Sequence, residues 1–255
     1  MNLLPLTGQE KRLKELFLKN LDLQLDKPRY QPQFIEFPEL REKIQQIIPS
    51  AFEEQFLELN CFETGQDVSV LTQMRYLPAV YHSHDFIEML YAWHGECACY
   101  INGNELHLHN VDICLVAPGA VHAVAAVSDD AVIYIFQVRR STFEQVFGTL
   151  LAEQSSLSDF LIKALYTDTR KNSVVFRTEN VHDIRDCIAR VYKEHNGENA
   201  HKKLMMNNLL ESVLILLSRT PEFSAEIPVE QDVRADSKLV SILIHIHANY
   251  TRISI

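Results

Sequence analysis

Hydrophobic positions change period along this chain, and the change divides it. Before residue 60 they recur at helical spacing: Leu13, Leu16 and Phe17 follow a Thr7–Glu10 capping box, and Leu40, Ile44, Ile47 and Ile48 follow Pro38 and stop at Pro49. From about 66 to 139 the spacing shortens to that of strands. "DVSVLTQMR", "FIEMLYAW", "ECACYI", "NELHLH", "DICLVA", "HAVAAV" and "AVIYIFQV" are seven short runs rich in β-branched and aromatic residues, separated by turn signals. Asn102-Gly103 predicts a two-residue hairpin turn. Seven such strands predict a sandwich or barrel. After residue 140 the helical period returns. Val181, Ile184, Ile188, Val191 and Tyr192 form one stripe, and Leu210, Val213, Leu214 and Leu217 form another. Such stripes predict core or dimer contacts, with the two helices pairing across a two-fold axis. Residues 218 to 237 hold two prolines among many polar residues and read as a linker. "SKLVSILIHIHANYTRISI" then starts a new amphipathic helix.

Charge narrows the function. The 255 residues carry 24 Lys+Arg against 34 Asp+Glu, a net −10, which makes the chain a poor ligand for phosphate backbones. No apolar run reaches the roughly 18 residues of a membrane span, and the N-terminus has no signal-peptide pattern. Five cysteines, an odd number in a chain too large to need cross-links, predict reduced thiols and a cytoplasmic protein. Cys97 and Cys99 fall on one strand face, as small buried hydrophobes or as a metal or redox pair.

Candidate chemistry sits in "YHSHDFIEMLYAWHGE", residues 81 to 96. Residues two apart on a strand share a side, so His82 and His84 share a face, with Glu88 on it if the alternation persists. His122 follows the Pro118-Gly119 turn. Three imidazoles and a carboxylate suit Zn, Ni, Mn or Fe. The same groups could contact a polar effector directly, or be histidines hydrogen-bonded inside a barrel. Trp93, Tyr134, Tyr91 and Tyr81 are candidate pocket aromatics or plain core.

His82, His84, Glu88 and Gly95 meet the pattern H-x-H-x₃-E-x₆-G and resemble the first cupin motif. Gly119 and His122 match the second; Val111, Ala117 and Ala126 depart from its first Gly, its Pro and its Asn. The resemblance implies His82, His84, Glu88 and His122 as metal ligands. A narrower resemblance covers most of the chain after residue 66. "HSHDFIEMLY", the hairpin, "PGAVH", "LILLSR" and the final "LVSILIHIHANYTRISI" are similar, in order, to AraC/XylS-type transcriptional regulators.

That resemblance implies an α+β chain: a cupin (double-stranded β-helix, or jelly-roll) barrel with an N-terminal helical extension and a C-terminal helical dimerisation region. The expected segments are a helical extension over 1–60, a cupin-like effector-binding barrel over 61–140, and a helical dimerisation region over 141–220. A linker over 221–238 and the start of a helix-turn-helix DNA-binding domain over 239–255 follow, with the recognition helices beyond Ile255. The implied function is the sensing and dimerisation part of a regulator, not an enzyme, answering to a small molecule such as a sugar or small organic acid. His82, His84, Glu88, Trp93, His122 and Tyr134 are the expected effector contacts. The implied partners are the effector, a second copy of the chain, and DNA through the C-terminal domain alone. The alternative is a stand-alone metal-dependent cupin enzyme of dioxygenase or isomerase type.

Overall fold

A computed structural model describes residues 4–19, 38–101, 104–145, 147–152, 155–166 and 173–219. The turn expected at Asn102-Gly103, the expected linker and the last predicted helix lie outside them.

The elements run α1 (Gly8–Lys19), α2 (Pro38–Ile47), β1 (Gln55–Phe56), α3 (Glu58–Cys61), β2 (Val68–Thr72), β3 (Ser83–His84), β4 (Ile87–His94), β5 (Cys97–Ile101) and β6 (Asn104–Leu108). They continue β7 (Ile113–Val116), β8 (His122–Ala125), β9 (Val132–Val138), α4 (Arg140–Gln145), α5 (Gly148–Ala152), α6 (Ser156–Tyr166), β10 (Ser173–Phe176), α7 (His182–His195) and α8 (Lys202–Ser218). All seven expected strands form. Five strands make an antiparallel sheet in the order β10-β7-β4-β9-β2, three make a second in the order β6-β5-β8, and β1 pairs with β3 in parallel.

Alternation along the strands builds four layers. Leu90, Ala92 and Ile133 from the larger sheet meet Cys97, Cys99, Ile101 and Val124 from the smaller one, and this is the barrel interior. The opposite face of the larger sheet carries Met89, Tyr91, Tyr134 and Phe136 and is covered by Phe143, Leu161, Ile184, Val213 and other helical residues. The opposite face of the smaller sheet offers Tyr100, Ala123 and Ala125 to Leu13 and Phe17 of α1 and Ile44 of α2. The expected mixed barrel with helices on its flanks is therefore what forms.

Strand β10 was not foreseen. It lies at the edge of the larger sheet, pairing with β7 from Ser173↔Val116 to Phe176↔Ile113, inside a stretch expected to be helical. The helical stripes, expected as core or dimer contacts, serve as core within this chain. Ile184, Ile188 and Val191 of α7, and Leu210, Val213, Leu214 and Leu217 of α8, are buried within one chain, against the sheet and each other. The large hydrophobic residues that α8 leaves exposed are Leu204 and Met205.

Three local devices fix the barrel. The capping box forms as expected: Glu10 N donates to Thr7 Oγ1 at 3.2 Å, and Thr7 N donates to Glu10 Oε2 at 2.8 Å. Gly95 turns β4 into β5 with φ of 70°, and a Cβ there would stand 2.9 Å from the Ala131 Cα. Val111 occupies the place of the first glycine of the second cupin motif and is held at φ of 65°. This conformation costs a β-branched residue on the order of 1–2 kcal/mol; its N–H donates to Ala92 O at 2.6 Å.

Candidate functional site

The histidines converge because the backbone pairs them. His82 and His122 form an antiparallel bridge with two N–H···O bonds of 2.9 Å, and their ring centroids are 4.2 Å apart. His84 lies in β3, its ring stacked on Phe86 at 4.4 Å, and its carbonyl accepts from Gly119 N at 2.7 Å. The Pro118-Gly119 turn thus ties the second motif to the first. Glu88 projects inward from β4, the parity that also sends Leu90 and Ala92 inside.

Hydrogen bonds set the tautomers. Each Nδ1 meets a backbone carbonyl: His82 that of Val80 at 3.0 Å, His84 that of Phe86 at 2.8 Å, and His122 that of Ala120 at 3.1 Å. A carbonyl only accepts, so each Nδ1 carries a proton, and the neutral rings of His82 and His84 keep their lone pair on Nε2. Nε2 of His122 faces Glu88 Oε1 at 3.1 Å, and Nε2 of His84 stands 3.8 Å from Glu88 Oε2. His84 Nε2 is buried and, among the described residues, has no hydrogen-bond partner.

Burial pushes the Glu88 carboxyl upward, but the His122 hydrogen bond and the charges of His122, His84 and His82 bring it down to about 2. Burial pulls His84 down to about 3, with Glu88 only partly opposing it. His82 is lowered by burial and then by His122. At neutral pH the cluster therefore presents a carboxylate beside the neutral rings of His82 and His84, an arrangement rich in acceptors.

The residues fit a cation. One ligand atom each from His82, Glu88 and His122 lie within 4.8 Å of one another. His84 does not close into that set and reaches it through the second oxygen of Glu88. Backbone bonds that fix the Nδ1–H tautomer are the support metal-binding histidines require.

A cavity of about 250 Å³ opens over the cluster, with His82, His84 and Glu88 on its wall. Four expected effector contacts, His82, His84, Glu88 and His122, come together. Trp93 and Tyr134 do not join them. They lie on the helix-facing side of the larger sheet, Trp93 at an odd offset from Glu88 and Tyr134 paired with Tyr91 across β4 and β9. Tyr91 also faces the helices, and Tyr81 packs under α1 and α2. Residues not foreseen line the cavity instead: Gln137, which pairs with Glu88 across the sheet, Gln73, Phe56, and Ser50 and Ala51 from the segment after α2. Gln137 had a signal, as the lone strongly polar residue of a buried strand. All five cysteines are free, and Cys97 and Cys99 are buried with sulfurs 3.9 Å apart. Among the described residues no helix is long and apolar enough to cross a membrane.

No curated protein sequence matches the chain. Among solved structures it is similar to an apo ToxT variant from Vibrio cholerae strain SCE256, at 8% identity and TM-score 0.44, covering 74% of this chain and 66% of that one. A second ToxT structure from Vibrio cholerae aligns at 12% identity and TM-score 0.39, covering 74% and 68%. A cupin-2 domain protein from Shewanella frigidimarina aligns at 18% identity and TM-score 0.25, covering 28% and 69%. The chain thus spans about two thirds of the length of the ToxT structures it matches. The family of AraC-like ligand binding domains matches residues 75–214, more than half of the sequence and the elements from β3 to most of α8, and the chain belongs to that family.

Proposed function

We propose that this chain is the sensing portion of an AraC-type transcriptional regulator and that a small-molecule effector occupies the cavity over His82, His84 and Glu88. One observation carries the reading: the buried, unpartnered Nε2 of His84 at the wall of that cavity, beside the Glu88 carboxylate. A buried acceptor without a donor costs about 1–3 kcal/mol, and a bound donor relieves it. Sugar hydroxyls supply such donors directly. A small organic acid brings acceptors of its own and needs a cation between itself and Glu88. His82, Glu88 and His122 would hold such an ion (Zn, Ni, Mn or Fe), with His84 behind Glu88. Bound there, it supplies a Lewis-acidic centre for an effector oxygen.

In the complete regulator, effector occupancy biases a two-state arrangement, the chain acts as a homodimer, and DNA is contacted through a separate helix-turn-helix domain. A stand-alone metal-dependent cupin enzyme would use the same four donors; membership of the ligand-binding family favours the regulator.

Calorimetric titration with a panel of pentoses and hexoses, with and without Zn²⁺, tests the site. Saturable binding is expected in the wild type, with affinity ten- to a hundredfold weaker in Glu88→Gln and His84→Ala, matching a loss of about 1–3 kcal/mol. Wild-type affinity in both variants would place the effector elsewhere. Elemental analysis of protein purified without chelator distinguishes the two modes: about one metal ion per chain for an ion-bridged site, none for direct contact.

A further inference from the structure

Directly behind the cavity, on the helix-facing side of the same sheet, stands a group of side chains with the opposite demand. Tyr91 and Tyr134 are cross-strand partners on β4 and β9, and both are fully buried. Among the described residues neither hydroxyl has a hydrogen-bond partner. Trp93 lies 6.1 Å from Tyr91 and 5.9 Å from Tyr134 by ring centroids, and Tyr192 of α7 stacks on Tyr134 at 4.5 Å. Arg185, two turns before Tyr192 on the same helix face, lays its guanidinium over the Trp93 ring at 4.1 Å. Among the described residues no carboxylate pairs with Arg185 and no hydrogen bond engages its guanidinium.

The inventory is one-sided. A guanidinium donates and never accepts. Burial pushes both phenols up to about 12, opposed by the Arg185 charge, so both keep their protons at neutral pH and can donate. Arg185 and Trp93 are only half-buried, so the edge of the group is open to solvent. A buried water would satisfy the phenols and leave the guanidinium without a counter-charge. An oxyanion answers both.

We propose that this junction of β4, β9 and α7 is a second ligand site, taking a small oxyanion (a carboxylate or a phosphate). Arg185 is its charge partner, and the hydroxyls of Tyr91 and Tyr134 are its further donors. The chemistry matches: both anions present paired acceptor oxygens that a guanidinium grips with parallel hydrogen bonds. The anion draws Arg185 away from the indole face and links α7 to the sheet. The site is spatially separate from the barrel cavity, which lies on the other side of the strands.

Trp93 is the sole tryptophan of the chain, so its emission reads this site directly. The experiment titrates the 255-residue chain with sodium acetate and, separately, with inorganic phosphate, against sodium chloride at matched ionic strength. A saturable emission change beyond the chloride control is expected from at least one anion. A response to acetate alone identifies a carboxylate site, and a response to phosphate alone a phosphate site. Arg185→Gln should weaken binding on the order of tenfold or more, as loss of a charge-assisted contact does. The Tyr91→Phe/Tyr134→Phe double variant, isosteric and checked for folding by circular dichroism, should weaken it severalfold. Lys14→Gln, which removes a cation elsewhere on the surface, should leave it unchanged. The proposal is overturned by no saturable response to either anion, or by a response that survives intact in Arg185→Gln or in the double phenylalanine variant.

Discussion

Replacing Glu10 by Gln removes one charge and one of two acceptor oxygens, which makes it a sensitive probe of how the N-terminal helix is held. Glu10 is buried in the first turn of α1. Its Oε1 accepts from Arg75 Nε at 2.8 Å and from Arg75 N at 3.1 Å; its Oε2 accepts from Arg75 Nη2 at 3.0 Å and from Thr7 N at 2.8 Å. Arg75 also donates to the carbonyls of Leu4, Pro5 and Asp129 at 2.9, 3.0 and 2.6 Å, so every guanidinium N–H is engaged. Burial pushes the Glu10 carboxyl upward, but Arg75 and the bonds from Thr7 hold it at about 2 instead of 4.5. That gap corresponds to about 3 kcal/mol. Removing one member of a buried ion pair costs about 3–5 kcal/mol, which agrees. Glutamine keeps one acceptor oxygen, enough for the capping box if it faces Thr7, but its NH2 then faces the Arg75 donors, so the loss combines the charge with two hydrogen bonds.

The depressed value fixes the sign of the pH dependence. The contribution is present above pH 4.5 and is lost as the pH falls through 2. Urea denaturation at pH 7 should find Glu10→Gln less stable by about 3 kcal/mol, and the two proteins should converge on acidification towards pH 2. Hydrogen exchange should locate the change in the amides of α1. A variant within about 0.5 kcal/mol of wild type at pH 7, the range of an ordinary surface change, would refute the reasoning. So would wild type and variant losing stability in parallel through the acid range. The effect reaches the proposed effector cavity because the segment after α2 supplies Ser50 and Ala51 to its wall.

Two further outcomes are expected. Gly95→Ala should cost about 2 kcal/mol or more in thermal denaturation, since it adds left-handed strain to a 2.9 Å approach to the Ala131 backbone; an unchanged melting temperature would mean that this turn relaxes freely. Leu214→Glu should destabilise the fold on the order of 4 kcal/mol rather than merely separate subunits, because Leu214 is buried within its own chain. A well-folded monomeric variant by light scattering and circular dichroism would contradict that.

What was legible in the sequence depended on period and parity. The seven strands were readable because each alternates or carries β-branched residues between turns, and the capping box because its two members stand three apart. The histidine cluster was readable because residues two apart on a strand share a side. Strand β10 was not: "SVVF" is buried throughout, and a four-residue apolar run carries no period. The cavity wall from residues 50 and 51 was hidden because it depends on a tertiary contact of the N-terminal extension. Trp93 and Tyr134 were assigned to the pocket by residue type, although Trp93 stands at an odd offset from Glu88 and the strand turns it to the other face. The stripes of α7 and α8 show the limit of amphipathicity: an apolar face demands cover, and the sheet of the same chain provides it.

Strand β4 faces the cavity with Glu88 and the helices with Met89 and Tyr91. The residue proposed to meet the effector and the residue that bears on the helical layer are therefore neighbours in the chain, about 3.8 Å apart from Cα to Cα. A sensor built this way needs no relay of side chains from ligand to output. Its reporting distance is one peptide unit, and any displacement of Glu88 is already a displacement of the floor on which α7 rests.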